Sequence, residues 1–160
     1  MMKFDRSNRW LVLAANFAVV MGIILLVIEL NQNQKMMKSQ VRNDLSAKIV
    51  DIMIQIAADD DLVNIRIKGD AGDSLKLEEV QRYEHLCLAF FRYWENVHYQ
   101  YRNGLYDEGE FEYQMKTIMG AYTNSGMRDV WCDKQYLFAK EFREDVNERM
   151  KRLGYQCEQF

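Results

Sequence analysis

Apolar residues fall along this chain in two regimes. From Trp10 to Ile28 they are nearly continuous, WLVLAANFAVVMGIILLVI, nineteen residues with Asn16 the only strongly polar member. At ~1.5 Å rise per residue such a helix reaches ~28 Å, close to the hydrocarbon thickness of a bilayer. After it, apolar positions recur every three or four residues, the period of helices buried on one face.

Beyond the apolar run, Asn31 to Ala57 has no glycine or proline, and Met37, Val41, Leu45, Ile49, Ile52, Met53 and Ile56 share one helical face. This predicts a stalk helix over 29–57. Asp59, Asp60 and Asp61 are capping carboxylates. A short helix follows over Leu62–Lys68, ending at Gly69 as its C′ residue. The alternation of Val63, Ile65 and Ile67 also suits a strand, but nothing else in the chain offers a strand to pair with it. Residues 70–74 are a loop.

The strongest pattern lies in Leu77–Asn103, where Val80, Tyr83, Cys87, Phe90, Trp94, Val97 and Tyr101 form a stripe that Leu86, Ala89 and Phe91 widen. Glu78 and Arg82 stand at i,i+4. Gly104 closes this helix, and Asp107 with Glu110 reads as an N-cap and its N3 partner, opening a helix to about Tyr122. Ser125 is the expected cap of a short helix through Trp131. The last helix runs from about Ala139 to Leu153, with a frayed tail over 155–160. The expected architecture is therefore all-α. A polar tail (1–9), a transmembrane helix (10–28) and its stalk (29–57) precede a domain over 58–154, a bundle of about four helices.

Composition narrows the function classes. The 160 residues leave room for one modest domain after the apolar run. Net charge is −3 with no long basic run, which argues against nucleic acid as partner. Proline is absent, as suits long helices. No small-x-small cleavage site follows the apolar run, so it reads as an uncleaved anchor rather than a signal peptide. The partner this implies is the lipid bilayer, contacted through Trp10–Ile28. The charges flanking it balance, with Lys3, Arg6 and Arg9 against Asp5 on one side and Lys35, Lys38, Arg42 and Lys48 against Glu29 and Asp44 on the other. The positive-inside rule then gives no orientation. Cys87, Cys132 and Cys157 are odd in number and lack CxxC spacing, so neither a disulfide nor a zinc site is expected. Unpaired thiols lean the domain toward the reducing, cytoplasmic side.

Candidate chemistry is sparse. Glu95-x-x-His98 has the spacing of half a two-metal carboxylate site, but His85 has Arg82 where the second half needs a glutamate. Glu95 is then expected to form an ion pair, and His98 to be a partly buried hydrogen-bonding residue. Ser125 follows no strand, Cys132 has few histidines available as a base, and no phosphate-binding glycine pattern occurs. No catalytic residue, metal or cofactor is assigned.

Taken together, the apolar helix followed by IELNQNQK, then FFRYWENVHYQYRNGLYDEGEFE, then SGMRDVWCDKQYLFAKEFREDV, resembles a widespread family of uncharacterised bacterial proteins. These are small, single-pass helical proteins of the inner membrane, known only as a domain of unknown function. The resemblance covers about residues 12–150 and rests on Gln32, Asn33, Arg92, Glu95, Asn96, Tyr99, Gln100, Gly104, Asp107, Trp131, Phe142 and Arg143. The family commonly has proline at the position of Gly126, and Thr-Pro or Ser-Pro helix starts at Lys76-Leu77 and Ala139-Lys140. These departures touch capping only. The resemblance implies the architecture and directs attention to Arg92, Glu95, Asn96, Tyr99 and Gln100 as ligand or partner residues. The function expected is a non-enzymatic interaction or sensory-accessory protein, its partner an envelope protein or a second copy through the stalk. The alternative is a ligand-binding or enzymatic domain using that polar cluster.

Overall fold

The structure, a computed structural model, describes residues 2–157, and no strand occurs among them. Six α-helices follow one another: α1 (Met2–Ala57), α2 (Asp60–Ala71), α3 (Leu77–Arg102), α4 (Glu108–Ala121), α5 (Ser125–Lys134) and α6 (Lys140–Arg152), with a 3₁₀ turn, Gln135–Leu137, before α6. The chain divides into two compact units, Met1–Gln40 and Val41–Phe160.

In the first unit the helix starts at Met2, so residues 2–9 of the stretch that reads as a polar tail are helical. Asn8–Ala57 is long and apolar enough to cross a membrane, with a mean hydropathy of 2.9 over its most apolar window, none of which is buried. Its large side chains stand open, from Trp10 at 69% to Met21 at 40% exposure. A stretch this apolar is the core of nothing in its own unit.

The second unit is built around α3, which packs against α2, α4, α5 and α6. The expected stripe is the buried face: Tyr83, Cys87, Phe90, Trp94 and Val97 are all buried, as are Leu86 and Phe91, although Ala89 is exposed. Phe91 is the hub, meeting Trp94, Tyr122, Trp131 and Phe138 at ring-centroid distances of 5.3 to 5.9 Å. Edge and offset contacts of this kind add to the area term that drives burial. The final turns of α1 supply one wall. Leu45 and Ile56 are buried there, Val41, Ile49 and Ile52 partly so, while Met53 faces out. Arg42 reaches Glu110 of α4 at 3.0 Å.

Local signals explain most helix ends. The carboxylate of Asp59 accepts from the Leu62 N–H at 2.9 Å, capping α2. Asp107 accepts from the N–H groups of Gly109 and Glu110, capping α4 as its sequence predicts. Lys76, not an expected cap, is held by Glu79, whose carboxylate accepts from the Lys76 N–H at 2.8 Å. At α5 the cap position falls on Asn124, and Ser125 is the first helical residue. Arg82 pairs with Asp59 at 3.0 Å rather than with Glu78.

Further expectations are overturned. Gly69 does not end α2: the helix continues to Ala71, and Gly72, with φ 77°, is the left-handed cap. Gly69 is glycine because the Tyr83 ring lies where a Cβ would be, with Cγ 2.7 Å from that point. Another correction concerns the cysteines. Cys132 and Cys157 are joined in a disulfide with Cα atoms 5.2 Å apart, and only Cys87 is free. The half-buried Tyr155 and Cys157 pack on the core, and the Arg128 guanidinium lies 4.6 Å from the Tyr155 ring centroid. The tail is tied down at least to Cys157, and residues 158–160 lie outside the described residues.

Candidate functional site

Most of the residues singled out by sequence lie on the solvent side of α3, near the start of α6. Arg92 and Glu95 are neighbours at i,i+3, and their side chains meet at 2.7 Å. Both then reach the segment that enters α6. Glu95 Oε1 accepts from the Ala139 N–H at 2.6 Å, satisfying a backbone donor at the mouth of a helix that lacks a side-chain cap of its own. Arg92 Nη2 donates to the Leu137 carbonyl at 2.9 Å, and its guanidinium lies 4.5 Å from the Phe138 ring centroid. These two residues therefore fix where α6 begins.

Arg92, Glu95, Asn96 and Tyr99 also line a surface cleft of about 340 Å³, completed by His98, Arg102, Ala139 and Phe142. Gln100 is not among the lining residues, but its amide donates to Asn96 Oδ1 at 3.3 Å. Sequence reasoning missed Arg102, Ala139 and Phe142 as site residues. Arg102 lies on the same helix, but nothing near α3 in sequence points to a wall supplied by α6.

His98 is 7% exposed and is the only buried polar or charged residue among those described. The hydrogen bond expected of it is not formed: Nε2 lies 3.8 Å from Asp145 Oδ2, itself a buried oxygen without a partner among the described residues. That distance is too long for a hydrogen bond. Burial holds the imidazole pKa below the ordinary value, Arg102 and Arg149 add to this, and Asp145 opposes it. His98 is thus a neutral imidazole at pH 7, with one N–H donor and one acceptor. Asp145 is held from its other side, since Oδ1 accepts from Arg149 Nε at 2.9 Å while Arg149 also grips Glu112 through two bonds.

The remaining lining groups divide sharply by commitment. Glu95 has both oxygens engaged, and Arg92 spends its donors on Glu95 and Leu137. Arg102 has a single 3.4 Å contact with Glu141, both side chains about half exposed. The Tyr99 hydroxyl has no partner among the described residues, and Asn96 uses only its oxygen. The cleft is rich in free donors and its acceptor is saturated.

A larger hollow of about 770 Å³ lies beside the disulfide, bounded by Gln135, Tyr136, Asn147, Met150 and Tyr155 among others. Its polar groups satisfy one another: Asn147 Oδ1 accepts from the Trp131 indole at 2.9 Å, and its amide donates to Gln135 at 2.7 Å. No group of three or more His, Cys, Asp or Glu side chains is placed to hold a metal among the described residues. Comparison with protein-family models, with curated proteins and with solved structures gave no match.

Proposed function

We propose that this chain is a single-pass protein of the bacterial cytoplasmic membrane, anchored by Trp10–Ile28. Its second unit would be a small helical bundle acting as a non-enzymatic interaction or sensory-accessory module. The observation that carries the reading is the wholly exposed apolar run. Leaving such a surface in water costs ~25 cal/mol per Å² of apolar area, which insertion into lipid removes. The resemblance of the segments around Gln32, Arg92 and Trp131 to single-pass bacterial proteins agrees with it.

We place the second unit on the oxidising, non-cytoplasmic face. The Cys132–Cys157 bond removes the argument from unpaired thiols and reverses it, because disulfides persist outside the reducing cytosol.

Acid-quenched cells alkylated before any reductant is added test the side. Cys132 and Cys157 should resist alkylation until reduced, and free labelling of both would move the unit to the cytosol. Extraction of a tagged chain in mild detergent tests the role. A second copy or an envelope protein should come with it, and a bare monomer would overturn the interaction reading. The second reading, a ligand-binding module using Arg92, Glu95, Asn96, Tyr99 and Gln100, is favoured by the donor-rich cleft that the first four of these residues line.

A further inference from the structure

We infer that the cleft between α3 and the start of α6 is a binding site for a small monocarboxylate with an apolar body. The inference rests on the ligand-binding reading above and names the class of ligand. Three observations carry it.

The first is the imbalance of donors. Arg102, the Asn96 amide, the Tyr99 hydroxyl and the His98 imidazole line the cleft with hydrogen-bonding capacity to spare. The carboxylate of the lining itself, Glu95, is already bonded to Arg92 and to the Ala139 N–H. A site of free donors takes an acceptor, and a guanidinium among them favours a carboxylate.

The second is His98 itself. Its side chain is more than nine-tenths buried yet makes no hydrogen bond among the described residues, so its ring N–H is left to solvent or to a ligand in the cleft. A carboxylate oxygen in the cleft accepts that N–H in place of water.

The third is the shape and wall chemistry. About 340 Å³ is at the small end of ligand pockets, and the rings of Phe142 and Tyr99 supply apolar surface beside the donors. That combination suits a short aliphatic or single-ring body carrying one negative charge.

Glu141 currently holds Arg102 at 3.4 Å from outside the cleft wall, so the ligand carboxylate takes the place of an internal one. This gives the test two signs. Calorimetric titration of the full chain in detergent micelles would use acetate, hexanoate and benzoate, each against its neutral amide. Because the measurement needs neither a membrane side nor a protein partner, its failure is separate from failure of the topology or interaction readings. At least one acid should bind saturably with Kd below about 1 mM, and its amide about tenfold more weakly or worse. Arg102→Gln should weaken the acid about tenfold with the melting temperature little changed, since its pair is a surface one. Glu141→Gln should tighten it by freeing Arg102. The proposal is overturned if no acid saturates, if acid and amide bind alike, or if Glu141→Gln leaves affinity unchanged or lowers it.

Discussion

Gly126 of α5 sits directly against the carbonyl of Gly69 in α2. A Cβ on Gly126 would overlap that oxygen and stand 2.9 Å from the carbonyl carbon and 3.1 Å from the Tyr83 hydroxyl. The obstruction is backbone, which cannot swing aside as a side chain does. Gly126→Ala should therefore force α2 and α5 apart and destabilise the protein by about 3 kcal/mol, the upper end for overpacking. Gly120→Ala, with nothing within 4 Å of its would-be Cβ, should be neutral or slightly stabilising. Urea midpoints of the two variants measure the contrast, and equal losses would count against the packing argument.

Glu95 serves α6 from a distance of 44 residues in sequence. Glu95→Ala should cost about 1–2 kcal/mol, as loss of an N-cap does, and speed hydrogen exchange of the Ala139 amide. Arg92→Met should loosen the Gln135–Leu137 turn by freeing the Leu137 carbonyl. An unchanged Ala139 exchange rate in Glu95→Ala would separate the carboxylate from the helix start.

The buried His98 links stability to pH. Its folded pKa lies below the unfolded value, first through burial, so between the two the unfolded chain binds more protons. Stability is full above about pH 6.5 and falls as pH drops toward the folded pKa, by at most about 1.4 kcal/mol per unit. Glu112, held below the usual carboxylate range by its bonds to Arg149, adds a loss of the same sign at lower pH. Melting curves from pH 7.5 to 5 should show a slope that His98→Gln removes.

Reducing the disulfide should cost about 3 kcal/mol for a loop of this size. Cys132→Ser should lower the melting temperature, and reductant should lower that of the parent but not of the variant. Cys87 should stay unlabelled in the folded protein, being fully buried with its thiol pushed up to about 12 by that burial.

What was legible in the sequence was periodic or adjacent. The three-and-four spacing from Tyr83 to Val97 marks the buried face of α3 because a helix converts spacing directly into a face. Asp107 is readable as a cap because its partners lie two and three residues on. Gly69 misleads because one residue type serves two physical needs, a left-handed helix end and a close approach of elements. Only the position of Tyr83 tells them apart. Cys132 and Cys157, separated by 25 residues without a motif, meet only because α6 folds back between them. The cleft was half visible: its α3 residues are neighbours in sequence, whereas Phe142 and Ala139 arrive from another helix.

The bond between Cys132 and Cys157 closes a covalent ring around the whole of α6. A protease that nicks the chain anywhere inside that ring produces two pieces that stay one molecule until a thiol reagent separates them. Under oxidising conditions this segment can be cut without being shed.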